Sequence, residues 1–130
     1  MKIMLDGSNI LFWRGEQAQL ELPREVAREL VSRRFEPVLY FDHSIKQYAE
    51  QEYLDDLLHL VDVVVAPRGT PADKLLLESA QQGRVQIVSN DRFRDWRSHY
   101  PRLRGDWLVT GSIKKGGRVS FSKKLRPAPL

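Results

Sequence analysis

Asp6 closes the apolar run Lys2-Ile3-Met4-Leu5 and is followed at once by Gly7-Ser8-Asn9, so a buried strand hands a carboxylate directly to a turn. Asp91 repeats the arrangement after Val85-Gln86-Ile87-Val88, and Asp73 opens a helix at Thr70-Pro71-Ala72-Asp73. Asp95 follows Asp91 at the spacing that shares one helix face. Carboxylates gathered in this way repel and raise one another's pKa unless a cation neutralises them. The four acids are therefore expected to form a cage for a divalent metal ion that works on phosphate.

Each acid also has a plain structural reading. Asp73, three residues after Thr70, completes a capping box, and Asp91 suits the positive end of a helix. Asp95 can pair on the surface with Arg92 or Arg94. Asp6 is the hardest to explain away, because a carboxylate at the end of a buried strand needs a partner and no neighbour in sequence supplies one. Ser8 and Asn9, and likewise Ser89 and Asn90, read either as turn formers and caps or as groups that orient the acids beside them. Trp13 reads as packing before stacking face, whereas Arg14, Arg92 and Arg94 are candidates for phosphate contacts.

The elements that must position these residues alternate between strand and helix. Strands are expected at 3–6, 37–41, 61–65 and 85–88, each short and apolar on both faces as a covered parallel sheet requires. Helices are expected from Leu22 to the stop at Glu36-Pro37 with Val26, Leu30 and Val31 on the apolar face, from about Ile45 to Leu60, from Ala72 to Gln82 with Gly83 beyond its end, and from Asp91 to about His99. Past Pro101 a fifth strand at 107–113, a turn at Lys114-Lys115-Gly116-Gly117 and a returning strand at 118–121 read as a hairpin. Right-handed crossovers put the carboxyl ends of parallel strands on one edge, so Asp6, Asp42, Asp73 and Asp91 are expected to share a crevice.

With 130 residues the chain fits one domain, assigned to 1–125, with 126–130 as a loose tail. No apolar run approaches the ~20 residues that span a bilayer, and Met1-Lys2-Ile3-Met4-Leu5-Asp6 meets a charge too early for a signal peptide, so no membrane partner and a cytoplasmic address are expected. The absence of cysteine removes disulfides, thiolate metal sites and cysteine nucleophiles, leaving oxygen and imidazole as ligands. Residues 91–126 hold eleven Lys or Arg against three acids, and the rest of the chain holds ten against fourteen. A basic carboxyl-terminal third beside an acidic site suits a polyanion gripped by its backbone while one phosphate meets the cation, with Lys114, Lys115 and Arg118 of the hairpin as further contacts. No Gly-rich phosphate loop follows any strand, and the three histidines form no pair placed for acid/base cleavage.

Leu5-Asp6-Gly7-Ser8-Asn9, Ala72-Asp73-Lys74 and Ile87-Val88-Ser89-Asn90-Asp91-Arg92-Phe93-Arg94-Asp95-Trp96 together resemble the NYN subgroup of PIN-like nucleases, specifically the Zc3h12a-like (regnase-type) ribonuclease domain. The resemblance implies a Rossmann-like α/β fold with helices on both faces of a parallel sheet, Mg²⁺ or Mn²⁺, and endonucleolytic cleavage of single-stranded RNA. It also implies that Asp6, Asp73, Asp91 and Asp95 are the metal-site acids and Asn9 a supporting residue. The chain departs from the family where Ala72 stands in place of a frequently doubled aspartate, and it has no cysteines for the zinc finger of the animal members. It is therefore expected to be a stand-alone relative. Two alternatives stay open: an RNA-binding module without turnover, short of one carboxylate at Ala72, and a DNA-directed or structure-specific nuclease. Homodimerisation stays open as well.

Overall fold

The strands are short, and a computed structural model, which describes residues 1–104, 106–114, 116–123 and 125, places five of them in one parallel sheet. Lys115 and the tail at 126–130 lie outside the described residues. β1 (Lys2–Asp6), β2 (Glu36–Phe41), β3 (Asp62–Val65), β4 (Ile87–Val88) and β5 (Leu108–Val109) lie in the order β3-β2-β1-β4-β5. All four neighbouring pairs are parallel. The chain builds outward from β1 through β2 to β3, then returns to the other side of β1, so the switch point lies between β1 and β4. In open sheets of this kind the ligand crevice lies at that point, outside the carboxyl ends of the strands.

Side-chain alternation in β1 divides the interior in two. Ile3 and Leu5 share a core with Leu22, Val26 and Leu30 of α2 (Glu21–Ser32) and Leu54 and Leu57 of α4 (Gln51–Leu58). Met4 shares the opposite core with Val38, Tyr40, Ile87 and with Leu76 and Leu77 of α5 (Ala72–Gly83). Helices thus cover both faces. Leu5, Leu30, Leu39 and Leu57 are fully buried, each contributing ~1.5–3 kcal/mol through removal from water. Asp6 follows Met4 by two residues, so it leaves the strand on the α5 side. An antiparallel hairpin, β6 (Gly111–Ile113) and β7 (Val119–Phe121), completes the fold, and its Ile113 and Val119 join the α2 core.

Several elements differ from the sequence reading for identifiable reasons. Val31 is 38% exposed, and the buried face of α2 is Leu22, Val26, Ala27 and Leu30, which repeat at helical spacing. The helix expected over 45–60 is two helices, α3 (Ile45–Tyr48) and α4, separated where Ala49 turns to extended backbone at φ −134 and ψ 144. In one continuous helix Ile45 and Leu54 would point about 180° apart, and the break lets both enter the α2 core. Gly83 is the last residue of α5 rather than the position beyond it; Arg84 takes the left-handed conformation, φ 52 and ψ 47, and Val85 N–H closes the end on the Ala80 carbonyl. The strand expected over 107–113 splits at Thr110: β5 stays with the parallel sheet and β6 leaves it for the hairpin.

The largest difference lies at 91–99, where turns replace the expected α-helix. The Asp91 carboxylate accepts the Phe93 N–H at 2.8 Å, Phe93 is left-handed at φ 50, and only a 3₁₀ turn over Arg94–Trp96 follows. A side chain that bonds to backbone two residues on competes with helix formation. The strained backbone at Phe93 costs on the order of 1 kcal/mol, which burial of its ring in the α5 core offsets.

Candidate active site

Asp6 is only 4% exposed, and two donors, one three residues on and one 83 residues on, fix its carboxylate. Asn9 N–H donates to Oδ1 at 3.2 Å, making Asp6 the cap of α1 (Gly7–Ile10), and the Ser89 hydroxyl donates to Oδ2 at 2.7 Å. The close turn after Asp6 needs Gly7, because a Cβ there would stand 2.6 Å from the Phe41 ring. Ser8 Oγ accepts the Asp42 N–H at 2.8 Å, tying the turn after β1 to the end of β2. Asn9 Oδ1 accepts both Trp13 Nε1–H and Asn90 N–H at 2.8 Å, which locks its side chain and links the β1 and β4 loops.

The β4 loop is built from the other side. Ser89 is fully buried, and its Oγ also accepts Asp91 N–H at 3.0 Å, so one hydroxyl bridges Asp6 and Asp91. Asn90 donates from Nδ2 to the Gly111 carbonyl and accepts Gly111 N–H at Oδ1, both at 2.9 Å, pinning the hairpin to the loop. Gly111 has no room for a side chain, since a Cβ would meet the Trp13 ring at 2.6 Å. Trp13 is therefore packed between the first turn and the hairpin.

The strand pattern puts Asp42 in the crevice without giving it a role, and the structure supplies one. It follows β2 as Asp6 ends β1, and its Oδ1 accepts the Ala72 N–H at 2.8 Å, capping α5 and fixing the turn that carries Asp73. The capping box from Thr70 does not form; Pro71 is the cap residue and makes no side-chain bond. Asp73 is half-buried in the first turn of α5, and no hydrogen bond to its carboxylate is present among the described residues.

Burial pushes Asp6 up from 3.8 to about 7; the Ser89 and Asn9 hydrogen bonds oppose the rise, and the charges of Asp73 and Asp91 add to it. Asp73 rises to about 6, first through burial and then through Asp91 and Asp42. These four acids form one electrostatic group at the switch point. Among the described residues no Lys or Arg forms an ion pair with any of them. No three acidic or imidazole groups among the described residues stand close enough together to chelate one ion. The donors fit a hard cation such as Mg²⁺ or Mn²⁺ that binds one or two carboxylates directly and keeps several waters. They are oxygen groups only, with two carboxyls that an adjacent cation would hold ionised.

Asp95 sits exposed in the 3₁₀ turn rather than on a shared helix face with Asp91, and the acids that raise Asp6 and Asp73 do not include it. Arg14, Arg92, Arg94, Lys114 and Arg118 are all exposed. Arg92 also lines an open groove of about 440 Å³ with Arg97, Thr110, Ser122 and Lys123. Arg118 lines a second groove, of about 400 Å³, with Arg33, Phe35 and Phe121.

The fold agrees with what the chain is similar to. Two solved structures, a crystal structure of nuclear proteinaceous RNase P 2 (PRORP2) from A. thaliana and a second of Arabidopsis thaliana nuclear protein-only RNase P 2, match over 92% of this chain with TM-scores of 0.76 and 0.69 and 18% identity. The chain spans 29% of the length of each. No curated protein matches the sequence. The profile of the Zc3h12a-like Ribonuclease NYN domain matches residues 1–107, and the chain belongs to that ribonuclease domain family.

Proposed function

We propose that the protein is a metal-dependent endoribonuclease acting on single-stranded RNA. The observation that carries this reading is the group of Asp6, Asp42, Asp73 and Asp91 at the β1/β4 switch point, two of them raised by burial and mutual repulsion, with no Lys or Arg paired to any of them among the described residues. Asp6, Asp73 and Asp91 would hold one or two Mg²⁺ or Mn²⁺ directly or through water, and Asp95 would act through water from the 3₁₀ turn. A bound divalent ion supplies a water of lowered pKa and offsets charge on a pentavalent phosphorus. Ser89 keeps Asp6 and Asp91 in one relative position through a single hydroxyl, and Asn9 joins the two loops beneath them. Asp42 sets the first turn of α5 and so the position of Asp73. Arg92, Arg94 and the hairpin cations Lys114 and Arg118 would hold phosphates to either side of the cleaved bond.

A second reading has one observation in its favour. With no chelating trio among the described residues, the fold also suits an RNA-binding module without turnover. Incubating end-labelled single-stranded RNA and DNA with the protein in Mn²⁺ or in EDTA separates the two. Internal cuts in RNA that need Mn²⁺ and vanish in Asp6→Asn are expected; binding without cutting in any metal would establish the second reading, and equal cutting of DNA would remove the RNA preference.

A further inference from the structure

Five large apolar side chains are markedly exposed among the described residues: Met1, Phe12, Val31, Tyr48 and Leu58. Met1, Val31 and Leu58 lie toward the amino ends of the strands, since they precede β1, end α2 and end α4. Phe12 and Tyr48 belong to the other edge. Phe12 lies six residues beyond Asp6, on the turn that continues α1 with its N–H on the Asn9 carbonyl at 3.0 Å. Tyr48 ends α3, six residues beyond Asp42.

The two rings meet edge to face, with centroids 6.2 Å apart and planes at 83°, and remain 40% and 48% exposed. A pair whose only purpose was packing would gain by going under, as Trp13 does beside it. This one stays in solvent, on the segments that leave the carboxyl ends of β1 and β2. Exposed Arg14 and Lys46 lie two residues from Phe12 and Tyr48 respectively, with exposed Glu16 and Glu50 farther along each segment. An aromatic face with nearby cations, at the same edge of the sheet as the strand ends that carry Asp6 and Asp42, suits a flat base attached to a charged backbone. A base inside a duplex already stacks on its neighbours and cannot offer its face.

We propose that Phe12 and Tyr48 form a stacking platform for one unpaired nucleobase of the RNA strand that enters the carboxylate crevice, and that they select single-stranded segments. The inference rests on the ribonuclease reading and assigns its single-strand preference to two named side chains. Phe12→Ala with Tyr48→Ala should raise KM for single-stranded RNA roughly 10-fold, with a smaller change in kcat, because stacking on one aromatic side chain is commonly worth a factor of that scale. Cleavage of fully paired RNA should not change, and Phe12→Trp with Tyr48→Phe should restore the parent KM. Phe12→Leu covers the case in which the double variant fails to fold: it keeps apolar bulk and removes the aromatic face, so it should still raise KM.

A binding arm in EDTA separates this idea from the cleavage reading. Strands carrying one abasic position at a time should bind the parent more weakly at one position and bind the double variant equally at all of them. A parent that cuts no RNA in any metal would overturn the ribonuclease reading, while the abasic scan would still decide the platform. Parent-like KM in Phe12→Leu, or an abasic scan that is flat for the parent, would overturn the platform.

Discussion

Asp6 ends β1 and Asp42 follows β2 at the same edge of the sheet, and each accepts a backbone N–H at the start of a helix, yet they end in different states. Asp42 takes its N–H from Ala72 and remains half-exposed, so its work is to hold α5 against the rim. Asp6 takes Asn9 N–H and the Ser89 hydroxyl and is sealed from water, and burial drives its pKa to about 7. The same position in the topology therefore yields a scaffold acid and a charge-starved acid. What separates them is the neighbouring strand: β1 has β4 beside it, with Ser89 closing over the carboxylate, whereas Asp42 stands one strand away from the switch point.

The sharpest way to break this contrast is to neutralise each acid in turn. Asp6→Asn should lower RNA cleavage by at least ~10²-fold, the scale on which removing one electrostatic contributor acts, while RNA binding survives. Asp42→Asn keeps an oxygen for the Ala72 N–H and should change cleavage by no more than about tenfold. Initial rates in Mn²⁺ measure both, and equal losses would make the two acids equivalent.

Titration gives the next largest effect. In EDTA the folded protein holds a proton on Asp6 through the interval from about 4 to about 7, where the unfolded chain has released it. Stability from this group is therefore complete below about pH 4 and is lost as pH rises through about 7, with a slope on the order of 1 kcal/mol per pH unit. Asp73 adds the same sign up to about pH 6. Urea denaturation at a series of pH values should show the decline in the parent and a flatter line in Asp6→Asn. Mn²⁺ at neutral pH should stabilise the parent more than the variant.

Asp42→Ala should cost ~0.5–2 kcal/mol, the usual effect of removing a helix cap, and Asp42→Asn much less. Thermal melts in EDTA test this, and a stable alanine variant would deny Asp42 its scaffold role. The smallest effect belongs to the hairpin. Removing Lys114 and Arg118 should flatten the dependence of log affinity for single-stranded RNA on log salt by about 0.7 for each phosphate no longer neutralised, with little change for different sequences. An unchanged slope would leave these side chains as turn decoration.

The first two thirds of the fold were legible because local pattern and tertiary role coincide there. Apolar runs that end in Asp6 and Phe41 are strands in any context that covers both faces, and Pro23 near the start of α2 marks a helix beginning. The region after Val88 was less legible because its conformation depends on distant partners. Asp91 to His99 carries helix spacing, but the Asp91 side chain takes the Phe93 N–H and Ser89 takes that of Asp91, for reasons that lie in Asp6, 83 residues from Ser89. The split at Thr110 likewise follows from β4 holding β5 and Asn90 holding Gly111, neither of which the local sequence announces. The convergence of Asp6, Asp73 and Asp91 on one edge followed from two strand ends and one helix start. The part played by Asp42 required knowing which helix start it reaches.

The bond between Ser89 and Asp6 joins residues 83 apart, and the pair between Asn90 and Gly111 follows it in the chain. A ribosome that has made β1, β2 and β3 has made an aspartate at a strand end, with neither the hydroxyl that covers it nor the strand that buries it. The assembled site arises only after β4 has slipped in beside β1, when residues beyond 89 have cleared the exit tunnel. A chain interrupted before β4 therefore carries Asp6 without the hydroxyl that fixes it, and the carboxylates meet only once residues beyond 89 are free to fold.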